Sequence, residues 1–481
     1  MRRKICLLVI GVILLVCALA SLAACESYKA TALEKVGDPT QKVESNGGLV
    51  VKQGAYLYFI NGYTDYLKDN LKDNWFGTPV KGAIVRVTYN ADGSLGDDYV
   101  IVVPKSVMAS SENVGFSIFG EWIYYVSPSA EADRSGEVQT DTLQFMRTKI
   151  DGTGTQVIFE LDNTSVKYKY TSSALVWYDS SDNKLYSKDL TAKRFKKSDK
   201  GDCIAEDVAS VHFIKNETYD PSEKDTPVAD YILYTKNSEK SYDSTNTLYA
   251  VAPRGGEPKT LIGENTYTDG KYSISVLASS VDAGALAIYY TKTTYVGTAT
   301  SGTVVGTYAY RFAAGTALAG VTAANEVKLS SSDLSSIVPI SYAEGVVKTG
   351  SNTVIYHTDG TAPSTFGELN VGTLLTIANG AFYYLNSDNV ILYYPLDNLS
   401  NAHFAYTTGE KAMTSFTGAE YFDGYFYFIV DDDYDYMHRV KLSEIDVYSG
   451  KDAAVTRVAI VNAADKEKME EAEKDSDSSS K

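Results

Sequence analysis

The stretch Gly54-Ala55-Tyr56-Leu57-Tyr58-Phe59-Ile60-Asn61-Gly62 is an aromatic strand entered and left through small turn residues. It recurs in altered form as Gly120-Glu121-Trp122-Ile123-Tyr124-Tyr125-Val126, as Gly380-Ala381-Phe382-Tyr383-Tyr384-Leu385 and as Asp423-Gly424-Tyr425-Phe426-Tyr427-Phe428-Ile429. β-Branched and aromatic residues suit a pleated, packed surface, so each copy reads as a strand. In Tyr56-Leu57-Tyr58-Phe59-Ile60 both faces are apolar, and the strand therefore needs cover on both sides. An inner strand of a blade sandwiched between two other blades meets that condition, whereas a sheet with one face in water does not.

One tyrosine or its equivalent per copy gives Tyr58, Tyr125, Tyr178, Tyr234, Tyr290, Thr349, Tyr384 and Tyr427, separated by 35 to 67 residues. That period is loose but lies near the range of propeller blades. The sixth copy is the weakest, placed by comparing Ala343-Glu344-Gly345-Val346-Val347 with Ala378-Asn379-Gly380-Ala381-Phe382. Each aromatic strand is followed by a second strand ending in Asp-Gly or similar, as in Ile84 to Tyr89 before Asp92-Gly93 and Leu143 to Ile150 before Asp151-Gly152. Asp-Gly marks a turn because both residues tolerate left-handed backbone angles. A further strand such as Thr155 to Phe159 comes next. The expectation is an all-β protein: a β-propeller of seven or eight blades, each of three to four antiparallel strands, over residues 47–461. A pair of β-sandwiches is the alternative, and it predicts shorter separations with no recurring aromatic unit. The Gly/Thr-rich run Thr291 to Gly306 has little to bury and is expected to project into solvent.

The N-terminus carries a different signal. Arg2-Arg3-Lys4 is a basic n-region, Ile5 to Ala20 is almost unbroken apolar sequence, and Leu22-Ala23-Ala24-Cys25 sets small residues before a cysteine. This is the pattern of a secretory signal, expected over residues 1–24. It resembles the lipobox of bacterial lipoproteins, which implies cleavage before Cys25, diacylglycerol on its sulfur and residence at the extracytoplasmic face of the cell membrane. A plain membrane anchor and an ordinary secretory signal are the alternatives. Residues 25–46 read as a polar tether, and residues 462–481, charged and then serine-rich, as a disordered tail. Once Cys6 and Cys17 leave with the signal and Cys25 carries lipid, Cys203 is the one free thiol, and stability rests on packing rather than disulfides.

The second unit carries a family resemblance as well. Gly120-Glu121-Trp122-Ile123-Tyr124-Tyr125, followed by Phe145-Met146-Arg147-Thr148-Lys149-Ile150-Asp151-Gly152-Thr153-Gly154, resembles a bacterial propeller domain of unknown function. That domain is usually likened to the propeller of low-density-lipoprotein-receptor-related proteins and occurs in secreted and lipid-anchored proteins. The likeness implies the β-propeller fold and brings no catalytic residues with it.

The charge balance, 44 basic against 61 acidic residues for a net −17, argues against nucleic acid or anionic lipid headgroups as main partners. Asp431, Asp432, Asp433 and Asp435 cluster after the last aromatic strand, and hard oxygen ligands at that density suit Ca²⁺. The run lacks the glycine and terminal glutamate of an EF-hand, so a solvated acidic hairpin is the plainer reading, and no cofactor is otherwise indicated. His212, His357, His403 and His438 stand too far apart for zinc spacing. No Gly-x-Ser-x-Gly or phosphate-binding glycine loop is present. The favoured function is a non-catalytic binding or scaffold module for a protein or cell-envelope glycan. Tyr63, Tyr66 and Trp75 in the first long insertion, with Tyr434 and Tyr436 at the acidic run, are the candidate ligand-binding aromatics; the plainer reading is that these rings pack on their own loops. The alternative is a glycoside hydrolase or polysaccharide lyase with carboxylates at the channel mouth.

Overall fold

The computed structural model describes residues 32–62, 81–107, 115–128, 142–162, 166–215, 217–236, 247–295, 301–349, 353–366, 373–378, 380–385, 390–396, 403–407, 419–429, 436–441 and 456–458. Over these residues the chain forms eight antiparallel sheets, the blades of an eight-bladed propeller. Blade 2 shows the unit: Ser117–Phe119, Trp122–Pro128, Leu143–Lys149 and Gln156–Leu161, each strand pairing with the next in chain order. The aromatic segments are the second strands, among them Tyr56–Ile60, Ala174–Asp179, Ile232–Lys236, Ala285–Thr294, Ala381–Leu385 and Tyr425–Ile429. The weak sixth copy holds its place as Gly345–Lys348. The innermost strand of a blade is therefore not the aromatic one. Another strand precedes it, such as Val50–Gln53 or Lys167–Tyr170, with the mixed polarity expected beside a lumen.

The two apolar faces of the aromatic strands are spent on both neighbours. Trp177 of blade 3 lies 5.1 Å from Phe159 of blade 2, and Tyr234 of blade 4 joins Val176 and Leu185 of blade 3. Leu233, one residue earlier, turns the other way into a cluster with Ile288 and Tyr290 of blade 5. Tyr289 meets Val346 of blade 6, and Val347 meets Phe382 and Tyr384 of blade 7. Tyr383 reaches Phe426 of blade 8 at 4.9 Å, and Tyr427, Ile429 and Met437 complete the circuit in the cluster of blade 1, which also takes in Ile118, Ile123 and Tyr125 of blade 2. Alternation along one strand thus packs two interfaces.

Two recurrent polar devices accompany this core. At the turns following the third strands, Asp92, Asp151 and Asp359 each accept hydrogen bonds from the backbone N–H and the hydroxyl of the residue two positions on, Ser94, Thr153 and Thr361. The intervening Gly93, Gly152 and Gly360 have φ of 79°, 80° and 83°, which explains the Asp-Gly-Ser/Thr triplet. Secondly, buried arginines on third strands stack on the first aromatic of the neighbouring strand: Arg147 over Trp122 at 4.0 Å, Arg439 over Tyr425 at 4.1 Å and Arg86 over Tyr56 at 4.4 Å. Arg147 then donates across the interface to the carbonyls of Leu190 and Ala192 in blade 3, and Arg439 donates to Gly93 of blade 1 at 2.9 Å.

Apart from Thr218–Tyr219, which joins the sheet of blade 1, each blade takes its strands from one continuous part of the chain, and among the described residues blades 8 and 1 exchange none. Side chains join them instead: Arg439 as above, the Tyr89 hydroxyl donating to Asp423 at 2.7 Å, and Glu420 of blade 8, which receives hydrogen bonds from Ser45, Leu49 and Val50.

Two further differences from the sequence expectation concern segment ends. The last part of the tether is built into the body. Leu33 N–H donates to the Asp151 carbonyl at 3.0 Å, the Lys35 carbonyl accepts from Arg86, and Val43–Glu44 is a strand. Thr291 to Gly306, expected as a solvent excursion, is largely a hairpin, with Thr291 opposite Thr307 and Thr294 opposite Thr303; paired β-branched residues extend both strands. Among the described residues no helix is long and apolar enough to cross a membrane.

Candidate functional site

The lumen is where the chain departs most from a plain repeat. Val43–Glu44 pairs with Val50–Gln53 on the inner side of blade 1, and Thr218–Tyr219, from the connection after the innermost strand of blade 4, pairs with Val43–Glu44 in turn. The sheet of blade 1 is six-stranded for this reason, its two extra strands being added on the inner edge. The turn before blade 1 is fastened on three sides. Asn46 donates to the Ile118 carbonyl and accepts from the Ile118 N–H at 2.7 Å, Gly47 N–H donates to Phe116, and Asn46 N–H donates to Glu217. The approach to blade 2 is so close that a Cβ on Gly115, whose φ is 102°, would sit 2.1 Å from the Gly48 carbonyl oxygen. Only glycine fits there.

Charged groups line this region. Glu420 is partly buried, and burial raises its carboxyl to about 7, against the opposing pull of Ser45, Lys215 and the two backbone N–H donors. Lys215 pairs with Glu217 at 2.6 Å; burial lowers its pKa, but Glu217 and Glu420 outweigh that and leave it raised. Lys169, on the innermost strand of blade 3, donates to the carbonyls of Ile214 and Ala229 and lies 3.8 Å from Asp230. Burial lowers Lys169 to about 8, with Asp230 acting the other way. His212 bonds Ser279 of blade 5 at 2.8 Å, and burial, then Lys169 and Lys167, push it down to about 4, so the ring is neutral. The arrangement can store charge and fasten strands, and its carboxylates are already engaged by the chain itself.

Of the candidate residues read from sequence, Cys25, Tyr63, Tyr66, Trp75, Asp431, Asp432, Asp433, Tyr434 and Asp435 lie outside the described residues. Tyr436 is described and is fully buried, with the Lys81 ammonium 5.4 Å from its ring centre. That ring is packed rather than offered to a ligand. Among the described residues no three His, Cys, Asp or Glu gather as a metal set. The lumen group was missed from sequence because Ser45, Glu217 and Glu420 are far apart in the chain and belong to no motif.

No family model matches the chain, and no curated protein matches it. Solved structures resemble it at low identity. Apo AztD from Citrobacter koseri is 10% identical, covers 79% of this chain and 92% of its own, and superposes with a TM-score of 0.39. The polysaccharide lyase Uly1 is 10% identical over 86% of this chain and 100% of its own, with a TM-score of 0.35. The C-terminal WD40 domain of Sif2 is 9% identical over 67% of this chain and 78% of its own, with a TM-score of 0.31. At these values the likeness is one of architecture alone.

Proposed function

We propose that the chain is a lipid-anchored extracytoplasmic propeller that binds a protein or cell-envelope glycan without chemistry. The observation that carries this reading is that Val43–Glu44 and Thr218–Tyr219, strands of the chain itself, are added to the inner edge of blade 1. An axis narrowed by the chain's own strands favours recognition at the outer faces and rim of the ring. Engagement of Glu420 by Ser45 and backbone N–H groups, of Asp230 by Lys169 and of Glu217 by Lys215 also favours it over a glycoside hydrolase, which needs two carboxylates about 5–10 Å apart around an open pocket. The lipobox-like Leu22-Ala23-Ala24-Cys25 supports the anchor, and the likeness to secreted and lipid-anchored propellers of unknown function accords with it. Mass spectrometry of chain extracted from membranes should find diacylglycerol on Cys25. Pull-down from envelope extracts and glycan arrays should yield a saturable partner. Turnover of an envelope polymer, abolished by Glu420→Gln, would overturn the reading.

A further inference from the structure

The connection between the third and fourth strands of blade 3 reads Thr191-Ala192-Lys193-Arg194-Phe195-Lys196-Lys197-Ser198-Asp199-Lys200. In a chain of net charge −17, this run holds five cations against one acid. It is a built loop. Arg147 of blade 2 holds the carbonyls of Leu190 and Ala192, and Glu160 N–H donates to the Lys197 carbonyl at 3.2 Å. The Lys188 ammonium holds the carbonyls of Lys196 and Asp199, and the Trp177 indole N–H holds that of Lys200. Phe195 is turned inward, 4.6 Å from the Arg147 guanidinium and packed against the core of blades 2 and 3. Lys193, Arg194 and Lys196 are left pointing outward; all three are exposed and have no ion-pair partner among the described residues. Lys197 is also exposed and pairs with Glu160.

The first described residues are fastened to blades 1 and 2, next to the blade that carries this loop. Leu33 is bonded to Asp151, in the turn between the third and fourth strands of blade 2, the blade on which the basic loop is fastened. From Cys25 to Leu33 the chain spans at most about 29 Å fully extended. A lipid on Cys25 would therefore keep the turn of blade 2 at Asp151 within that reach of the bilayer.

We propose that the rim of blades 2 and 3, through Lys193, Arg194 and Lys196, rests on anionic lipid headgroups and sets the orientation of the ring on the membrane. The inference rests on the reading of Cys25 as the anchor site. A diacylglycerol anchor already brings two acyl chains, so the basic patch adds orientation to attachment, and each cation near an anionic surface strengthens association roughly fivefold, from about 1 kcal/mol apiece. The overall charge argues against such contact, but the field at a surface is local and decays within about 10 Å. Orientation then follows from where the cations sit.

The test uses residues 26–481 with a hexahistidine tag in place of Cys25, tethered to vesicles containing a nickel-chelating lipid, so that its outcome does not depend on lipidation. Cys203, exposed on the strand that follows the loop, is then the one thiol and takes a fluorophore. In vesicles of phosphatidylcholine with phosphatidylglycerol, headgroup-nitroxide lipid should quench this label. A label at Thr365→Cys in a Cys203→Ser background, exposed on the outermost strand of blade 6 across the ring, should be quenched several-fold less. The Lys193→Glu, Arg194→Glu, Lys196→Glu variant, whose changes are all on the surface, should lower quenching at Cys203 to the level at Thr365→Cys. So should vesicles without phosphatidylglycerol. Equal quenching at the two positions, or quenching at Cys203 that ignores both the charge reversal and the lipid charge, overturns the proposal. Failure of the separate search for lipid on Cys25 would sink the anchor and leave this surface measurement standing by itself.

Discussion

At the scale of single residues, Glu420 has the clearest consequence for stability. Its pKa in the fold is about 7, raised by burial from an ordinary 4.5. The folded state thus holds the proton more tightly than the unfolded state. Its contribution is full below the unfolded value and is lost as pH rises through about 7, a change of up to about 3 kcal/mol. Glu420→Gln cannot titrate, so the drop in melting temperature of the wild type between pH 5 and 8 should be reduced in the variant. His212, depressed to about 4, acts with the opposite sign: its contribution is lost as pH falls below about 6.5. Both proteins share that term, so the difference between their melting curves isolates Glu420. Identical pH slopes would show that the carboxyl has no such role.

At the scale of elements, the Asp-Gly-Ser/Thr turns and the arginine stacks are the repeated parts. Asp151→Ala removes both acceptor contacts to Thr153 and should cost about 1–2 kcal/mol, measured by denaturant titration, whereas Asp151→Asn should retain part of that. Arg439→Leu strips the stack on Tyr425 and leaves the buried Gly93 carbonyl without this donor, for a loss of about 2–4 kcal/mol. These elements were legible to different degrees in the sequence. The aromatic strands and Asp-Gly turns were readable because period, two-sided apolarity and turn chemistry are local properties. The short innermost strands were not, since segments such as Lys167–Tyr170 mix charge with aromatics and owe their pairing to the strand beside them. Val43–Glu44 was hidden for the same reason: two residues have no periodicity. The basic run at Lys193 to Lys197 was visible as composition, but a global charge count concealed it.

At the scale of the whole molecule, the ring is closed by side chains and by the hairpin at the inner edge of blade 1. A chain beginning at residue 50 loses Val43–Glu44, the Asn46 bonds to Ile118 and the Ser45 contact to Glu420. It should therefore melt lower and show faster amide exchange in blades 1 and 8 than in blades 4 and 5; uniform loss of protection would show that closure does not depend on this hairpin. The hairpin of Val43–Glu44 with Val50–Gln53 also has a consequence in time. Ser45 is separated by 375 residues from Glu420, while neighbouring blades meet through far shorter loops. A chain made from its N-terminus delivers Val43–Glu44 first, yet its strand partner Thr218–Tyr219 arrives only with blade 4 and its carboxyl anchor only with blade 8. Until then the inner edge of blade 1 is an open strand, the kind of edge on which nascent chains pair wrongly. Of the contacts made by these early residues, the pairing with Thr218–Tyr219 and the bond to Glu420 are thus the ones that must wait for later blades.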